Sequence, residues 1–177
     1  MTVNFESSAE DGVLYLIVQN IRKIIIERCN LEGLGDTPRI ESSSVVIRGP
    51  QYSGQNEEMP GIVITWGLTA DIPASGGDNC TQDVHYVVLI QIIDKQQGKY
   101  ELSRIRSHIA WAERIRKVFN AQNLRNEVFD SRGYVDLALV ENVKMLDERA
   151  FKLDSRCVQA IPVKVISREP IIAAGSA

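Results

Sequence analysis

The sequence predicts an α+β fold: a mostly antiparallel sheet of four to five strands with two main helices packed on one face. Three observations predict it. Two segments repeat their apolar residues with helical spacing. Shorter segments rich in Val and Ile alternate with period two, so that the elements run α-β-β-β-α-β-β. Several of those strands carry apolar residues on both faces. Two helices cannot easily cover both faces of one sheet, so the fold is expected to be a ring-forming subunit whose second face is met by a neighbouring copy; the alternative is that the chain's own loops 50–60, 68–80 and 123–136 fold back over that face.

The first helix follows SSAEDG, which offers Ser and Asp as N-cap candidates and acidic residues suited to a helix start. Leu14, Ile17, Val18, Ile21 and Ile25 then form its apolar stripe, and NLEGLGDTP, with two glycines and a proline, ends it. Strands are expected at Ser43–Gly49 and Gly61–Gly67, separated by the polar loop PQYSGQNEEMP. After the long connection LTADIPASGGDNC comes TQDVHYVVLIQIID, residues 81–94, a strand apolar on both sides along its middle. A hairpin loop as long as 68–80 is far beyond the usual two to five residues, and such loops are commonly functional.

The second helix is expected over Tyr100–Gln122. Leu102, Ile105, Ile109, Ala112 and Phe119 are expected to form its buried stripe, thickened by Ile115. Arg104, Arg106, Arg114, Arg116 and Lys117 then fall mainly on other faces and read as a solvated helix surface, with a basic strip toward DNA or a partner's acidic residues as the alternative. Trp111 lies off the stripe, as either second-face core or a subunit contact. A polar linker with scattered aromatics spans 123–136, and two strands close the chain at Leu137–Asp147 and Arg156–Glu169. Pro162 inside the last strand argues for an edge or a bulge there.

The 177 residues read as a single domain over 1–177, with 1–9 and 170–177 as flexible or subunit-docking tails. The net charge of −3 does not indicate general affinity for nucleic-acid phosphate. Cys29, Cys80 and Cys157 form no CxxC pair, so they suggest neither a zinc site nor a disulfide framework. The segment MTVNFESSAEDG lacks the basic start and apolar run of a secretory signal, and no apolar stretch approaches the ~18 residues that span a bilayer. Use in the cytosol, away from membranes, is the expectation.

No pattern calls for catalysis, a metal or a cofactor. His85 and His108 lack partners at metal-ligand spacing and read as surface or satisfied core histidines. SGGDN is not followed by Lys-Ser/Thr, so it reads as a loop tip rather than a P-loop. Asp147, Glu148 and Asp154, flanked by Arg149, Lys152 and Arg156, read as a solvated hairpin tip.

The order of elements has a counterpart. An amphipathic helix, VLYLIVQNIRKIIIERC, precedes a strand pair. VHYVVLIQIID then leads into the helix ELSRIRSHIAWAERIRKVF, and the closing strands end in VQAIPVKVISRE. This layout, over about residues 10–168, resembles the tail terminator proteins of tailed bacteriophages and related head–tail connectors. The long loops 50–60 and 68–80 depart from that pattern and put the ring contacts there in doubt. The resemblance implies a structural protein of the virion, assembled in the host cytoplasm, that forms a homo-oligomeric ring, usually a hexamer. The ring caps the tail tube, stops its polymerisation and meets the neck or head connector, while DNA passes through the lumen without specific binding. Candidate subunit or ring contacts are Tyr52, Asp71, Asp78, Asn79, Trp111, Arg125, Phe129, Arg132 and Tyr134. Another connector ring, a stopper or completion protein, is the near alternative. A small α+β enzyme using His85 and a monomeric module reading a peptide on a sheet edge are alternatives of other classes.

Overall fold

The computed structural model describes residues 12–49, 59–66, 81–95, 102–141 and 156–171. Its two helices are α1 (Val13–Arg28) and α2 (Leu102–Asn120). The strands are β1 (Val45–Ile47), β2 (Gly61–Trp66), β3 (Thr81–Lys95), β4 (Tyr134–Val140) and β5 (Arg156–Pro170). They form one five-stranded sheet in the order β1-β2-β3-β5-β4. Only β1–β2 is parallel; β2–β3, β3–β5 and β4–β5 are antiparallel. The fold is therefore α+β, with a mostly antiparallel sheet. The expected strand over 137–147 begins earlier, at Tyr134, and its residues 142–147 lie outside the described ones.

Register sorts the strands into two faces. One face carries Val45, Ile62, Ile64, Val88, Ile90, Ile92, Ile161, Val163, Val165, Val135 and Ala138, all buried in one cluster with the helices. Helix α1 lies against β1 and β2; α2 lies against β3, β5 and β4. Both helices thus cover the same face.

Helix α1 contains the β-branched run Ile24-Ile25-Ile26, a weak local helix former. Burial outweighs that weakness. Leu16, Ile17, Val18, Ile21, Ile24 and Ile25 are buried, each worth about 2 kcal/mol of apolar transfer. The N-cap residue is Gly12, without a side-chain cap, rather than a Ser or Asp. Arg22 reaches across to donate its Nε–H to the Val45 carbonyl at 2.7 Å, tying α1 to β1.

Helix α2 departs from the expected stripe. Ser107, His108, Trp111, Ala112, Ile115 and Phe119 are buried, while Ile105 and Ile109 are 37% and 38% exposed. At 100° per residue this rotates the buried face by roughly a quarter turn from the expected one. The cause is Trp111, whose indole fills more core volume than an isoleucine and whose Nε1–H needs an acceptor. It finds two, the carbonyls of Leu31 and Glu32, at 3.1 and 3.0 Å.

Pro162 sits in β5, an interior strand between β3 and β4, so the expected edge position is corrected. In antiparallel pairing a residue's N and C=O point to the same neighbour. The Pro162 carbonyl accepts from Glu141 N at 2.9 Å, just past the end of β4. Its missing N–H therefore falls on the β4 side beyond the last paired residue, Val140, and leaves the β3–β5 ladder intact.

Candidate functional site

Among the described residues, no helix lies against the second sheet face. From β3 it carries Asp83, His85, Val87, Leu89, Gln91 and Ile93. From β5 it carries Val158, Ala160, Pro162, Lys164, Ile166 and Arg168, and from β4 Leu137 and Leu139. The bulge at Asp136, between Val135 and Leu137, sets this phase. It restores alternation so that Leu137 faces Ile166 and Leu139 faces Lys164 on the open side.

This face is closed at one corner and open at another. Near β2, Val63 and Ile93 are 1% and 4% exposed, so the chain itself covers them. Across β3–β5–β4 the cover ends: Val87 is 41% exposed and Leu139 43%. Leu89, Leu137, Pro162 and Ile166 are half-buried. The cross-strand rows are Val87–Lys164–Leu139 and His85–Ile166–Leu137, bounded at one end by Asp83 and Arg168. Three strands about 4.8 Å apart and about 23 Å long give a patch on the order of 300 Å². That footprint includes Lys164 and His85 among the apolar side chains, and the largest patch on a typical monomer, about 300–600 Å², is often functional.

The rim is polar and ordered. Arg168 Nε donates to Asp83 Oδ1 at 2.9 Å and Nη2 to Oδ2 at 3.4 Å, a two-point pair across β3 and β5. The Asp83 hydrogen bond, and then its charge, raises the Arg168 guanidinium above its ordinary value. On the opposite face Tyr86 donates its phenol O–H to Glu169 Oε1 at 2.8 Å. Partial burial pushes both groups upward, and the Glu169 carboxylate raises Tyr86 further.

A second polar cluster lies in the core. Asp94 is buried at the end of β3, and its Oδ1 accepts from Arg104 Nη1 at 3.3 Å. Its Oδ2 lies 3.4 Å from Nε2 of buried His108. The His108 ring meets Trp111 edge-on, with centroids 5.4 Å apart. Beside it, Ser107 Oγ accepts from Leu34 N at 2.8 Å, and Arg114 Nη1 donates to the Asn30 and Glu32 carbonyls. Together with Trp111 these groups pin the connection after α1 onto α2. His108 is accordingly a satisfied core histidine. Burial pushes the Cys29 thiol, in the same region, up to about 12, which makes it an inert core group.

The contact candidates from sequence divide into three groups. Tyr52, Asp71, Asp78 and Asn79 lie outside the described residues. Trp111 and Phe129 are buried in the chain's own core, so Trp111 belongs to core packing and neither side chain is exposed at the surface. Arg125 is exposed, Tyr134 half-buried beside Arg168 at the start of β4, and Arg132 donates to the Phe129 carbonyl and to Asp130. Leu124 and Phe129 turn the 123–136 linker into the helix-side core, so this linker does not supply the cover for the open face. The apolar residues Val87 and Leu139, and the exposed Ile105 and Ile109, were not among the candidates. For the strand residues the signal was present, in the alternation of 81–94 and 137–140.

No protein-family model matches the chain, and a search of curated proteins finds no match.

Proposed function

We propose that this chain is a structural ring subunit at the tail–neck junction of a tailed bacteriophage, a tail terminator. The observation that carries the proposal is the open β3–β5–β4 patch, with Val87 41% and Leu139 43% exposed on a face that no helix covers among the described residues. The α-β-β-β-α-β-β order, with both helices on the other face, supports the same reading.

On this account the function is geometric. A neighbouring copy covers the apolar patch, and repetition of that contact closes a ring, usually of six copies in the family resembled. One annular surface matches the last ring of the tail tube and blocks further addition. The other meets the neck. Mild net acidity, −3 per chain, lets DNA traverse the lumen without a strong grip on its phosphates. His85 fits this role better than catalysis, because it sits half-buried on a sheet face between Asp83 and Val87, opposite Ile166.

Sedimentation velocity of the full chain over a range of micromolar concentrations tests the proposal. A stable species of several subunits is expected. A monomer at every concentration, and no ring on isolated tail tubes by electron microscopy, would overturn it.

A further inference from the structure

The proposed ring leaves open which surface of the neighbour covers the sheet patch. A closed ring built from one repeated contact joins two different surfaces of the same chain, because self-complementary contacts stop at a dimer. The second surface is found on α2. Ile105 and Ile109 stand one turn apart on that helix, 37% and 38% exposed, displaced from the core by the rotation that buries Trp111. Arg106, Glu113, Arg116 and Lys117 are exposed around them. The helix belongs to the layer on one side of the sheet, and the open patch lies on the other side. One subunit thus presents an apolar stripe on the flank of α2 and an apolar sheet face on the far side of the sheet.

We infer that the Ile105–Ile109 stripe of α2 in one copy packs on the Val87–Leu139–Ile166 patch of the next copy, in a head-to-tail contact. Two features beyond exposure favour a second copy as the occupant. The charges complement: three cations and one acid surround the helix stripe, whereas β4 brings Asp136 and, at its end, exposed Glu141 beside the patch, with Lys164 facing Leu139. The contact also repeats the packing this chain already uses internally, an α2 apolar stripe across β3, β5 and β4. The inference rests on the ring proposal and specifies its interface.

The test uses the full chain. A photo-reactive benzoylphenylalanine placed at position 109 is irradiated in the assembled protein, and cross-linked peptides are mapped by mass spectrometry. Cross-links to residues 85–89, 137–139 or 162–166 of another copy are expected. In parallel, Ile109→Asp, a change at an exposed position, is expected to keep its thermal unfolding and to sediment as a monomer at concentrations where the unaltered chain forms rings. Cross-links from position 109 to α2 of another copy, or rings undiminished by Ile109→Asp, would overturn the interface and leave the ring intact. An unaltered chain that stays monomeric at all concentrations and forms no ring on isolated tail tubes would instead overturn the ring proposal itself.

Discussion

Trp111→Phe is the substitution whose effect follows most directly from the core. Trp111 is fully buried, and its Nε1–H is shared between the carbonyls of Leu31 and Glu32. Phenylalanine removes that donor and part of the ring. The Glu32 carbonyl keeps a partner, because Arg114 Nη1 donates to it at 2.7 Å. The Leu31 carbonyl also keeps a partner, the Ile40 N–H at 3.0 Å, so what is lost is one net hydrogen bond, worth about 1 kcal/mol. The smaller ring leaves roughly 40 Å³ unfilled, which at about 24 cal/mol per Å³ adds about 1 kcal/mol. The total, about 2 kcal/mol, lowers the unfolding midpoint by roughly 4–8 °C in a chain of this size. Thermal unfolding followed by near-UV circular dichroism measures it. Assembly should be unaffected at temperatures well below the transition. An unchanged midpoint together with lost assembly would refute the placement of Trp111 in the core and return it to the subunit surface.

The other predictions concern the frame around the patch. Gly133 holds φ 136°, and an added Cβ there would lie 2.5 Å from the Arg168 carbonyl oxygen. Gly133→Ala should therefore destabilise by about 2 kcal/mol or more in urea unfolding, by straining the turn that starts β4. Ser107→Ala removes the acceptor for Leu34 N and should cost about 1–2 kcal/mol in the same assay. Burial raises the Glu169 carboxyl above its unfolded value, so the folded state holds that proton more tightly than the unfolded chain. Its contribution is present below about 4.3, the ordinary glutamate value, and is lost as pH rises through the raised folded value. Glu169→Gln keeps an acceptor for Tyr86 and should flatten this part of a urea-unfolding profile against pH. An unchanged slope would contradict the assignment. Leu139→Asp, at a 43% exposed position, should leave monomer stability within about 0.5 kcal/mol of the original while abolishing assembly, as sedimentation would report.

Much of the frame was legible because period-two and helical patterns survive in long segments. The 81–94 alternation located β3 within one residue and correctly showed apolar groups on both faces. The α2 face was misread because hydrophobicity alone ranks Ile105 and Ile109 with the core. The structure places Ser107 and His108 there instead, each with a polar partner from a distant segment, Leu34 and Asp94. Such pairing, across 73 residues for Ser107–Leu34 and 14 for His108–Asp94, leaves no trace in the helix's own periodicity. The interior position of Pro162 was hidden for a similar reason: its tolerance depends on which neighbour its nitrogen faces, which only the ladder reveals. Of the candidate contacts, Trp111 lies off the sequence-derived helix stripe and Phe129 lies in a polar linker, so both read as surface positions. In the fold both turn inward, with carbonyls satisfying the indole and the linker closing on the helix-side core. The open patch itself was foreshadowed by strand alternation, but its limits were not. That β2 is shielded while β4 is bare depends on tertiary cover.

The most direct measurement is an electron-microscopy reconstruction of the assembled protein, with this subunit fitted into it. The account predicts that Val87, Leu139 and Ile166 lie beneath a neighbouring copy at every subunit boundary. A ring in which those three side chains line the lumen or outer wall, open to water, would contradict it.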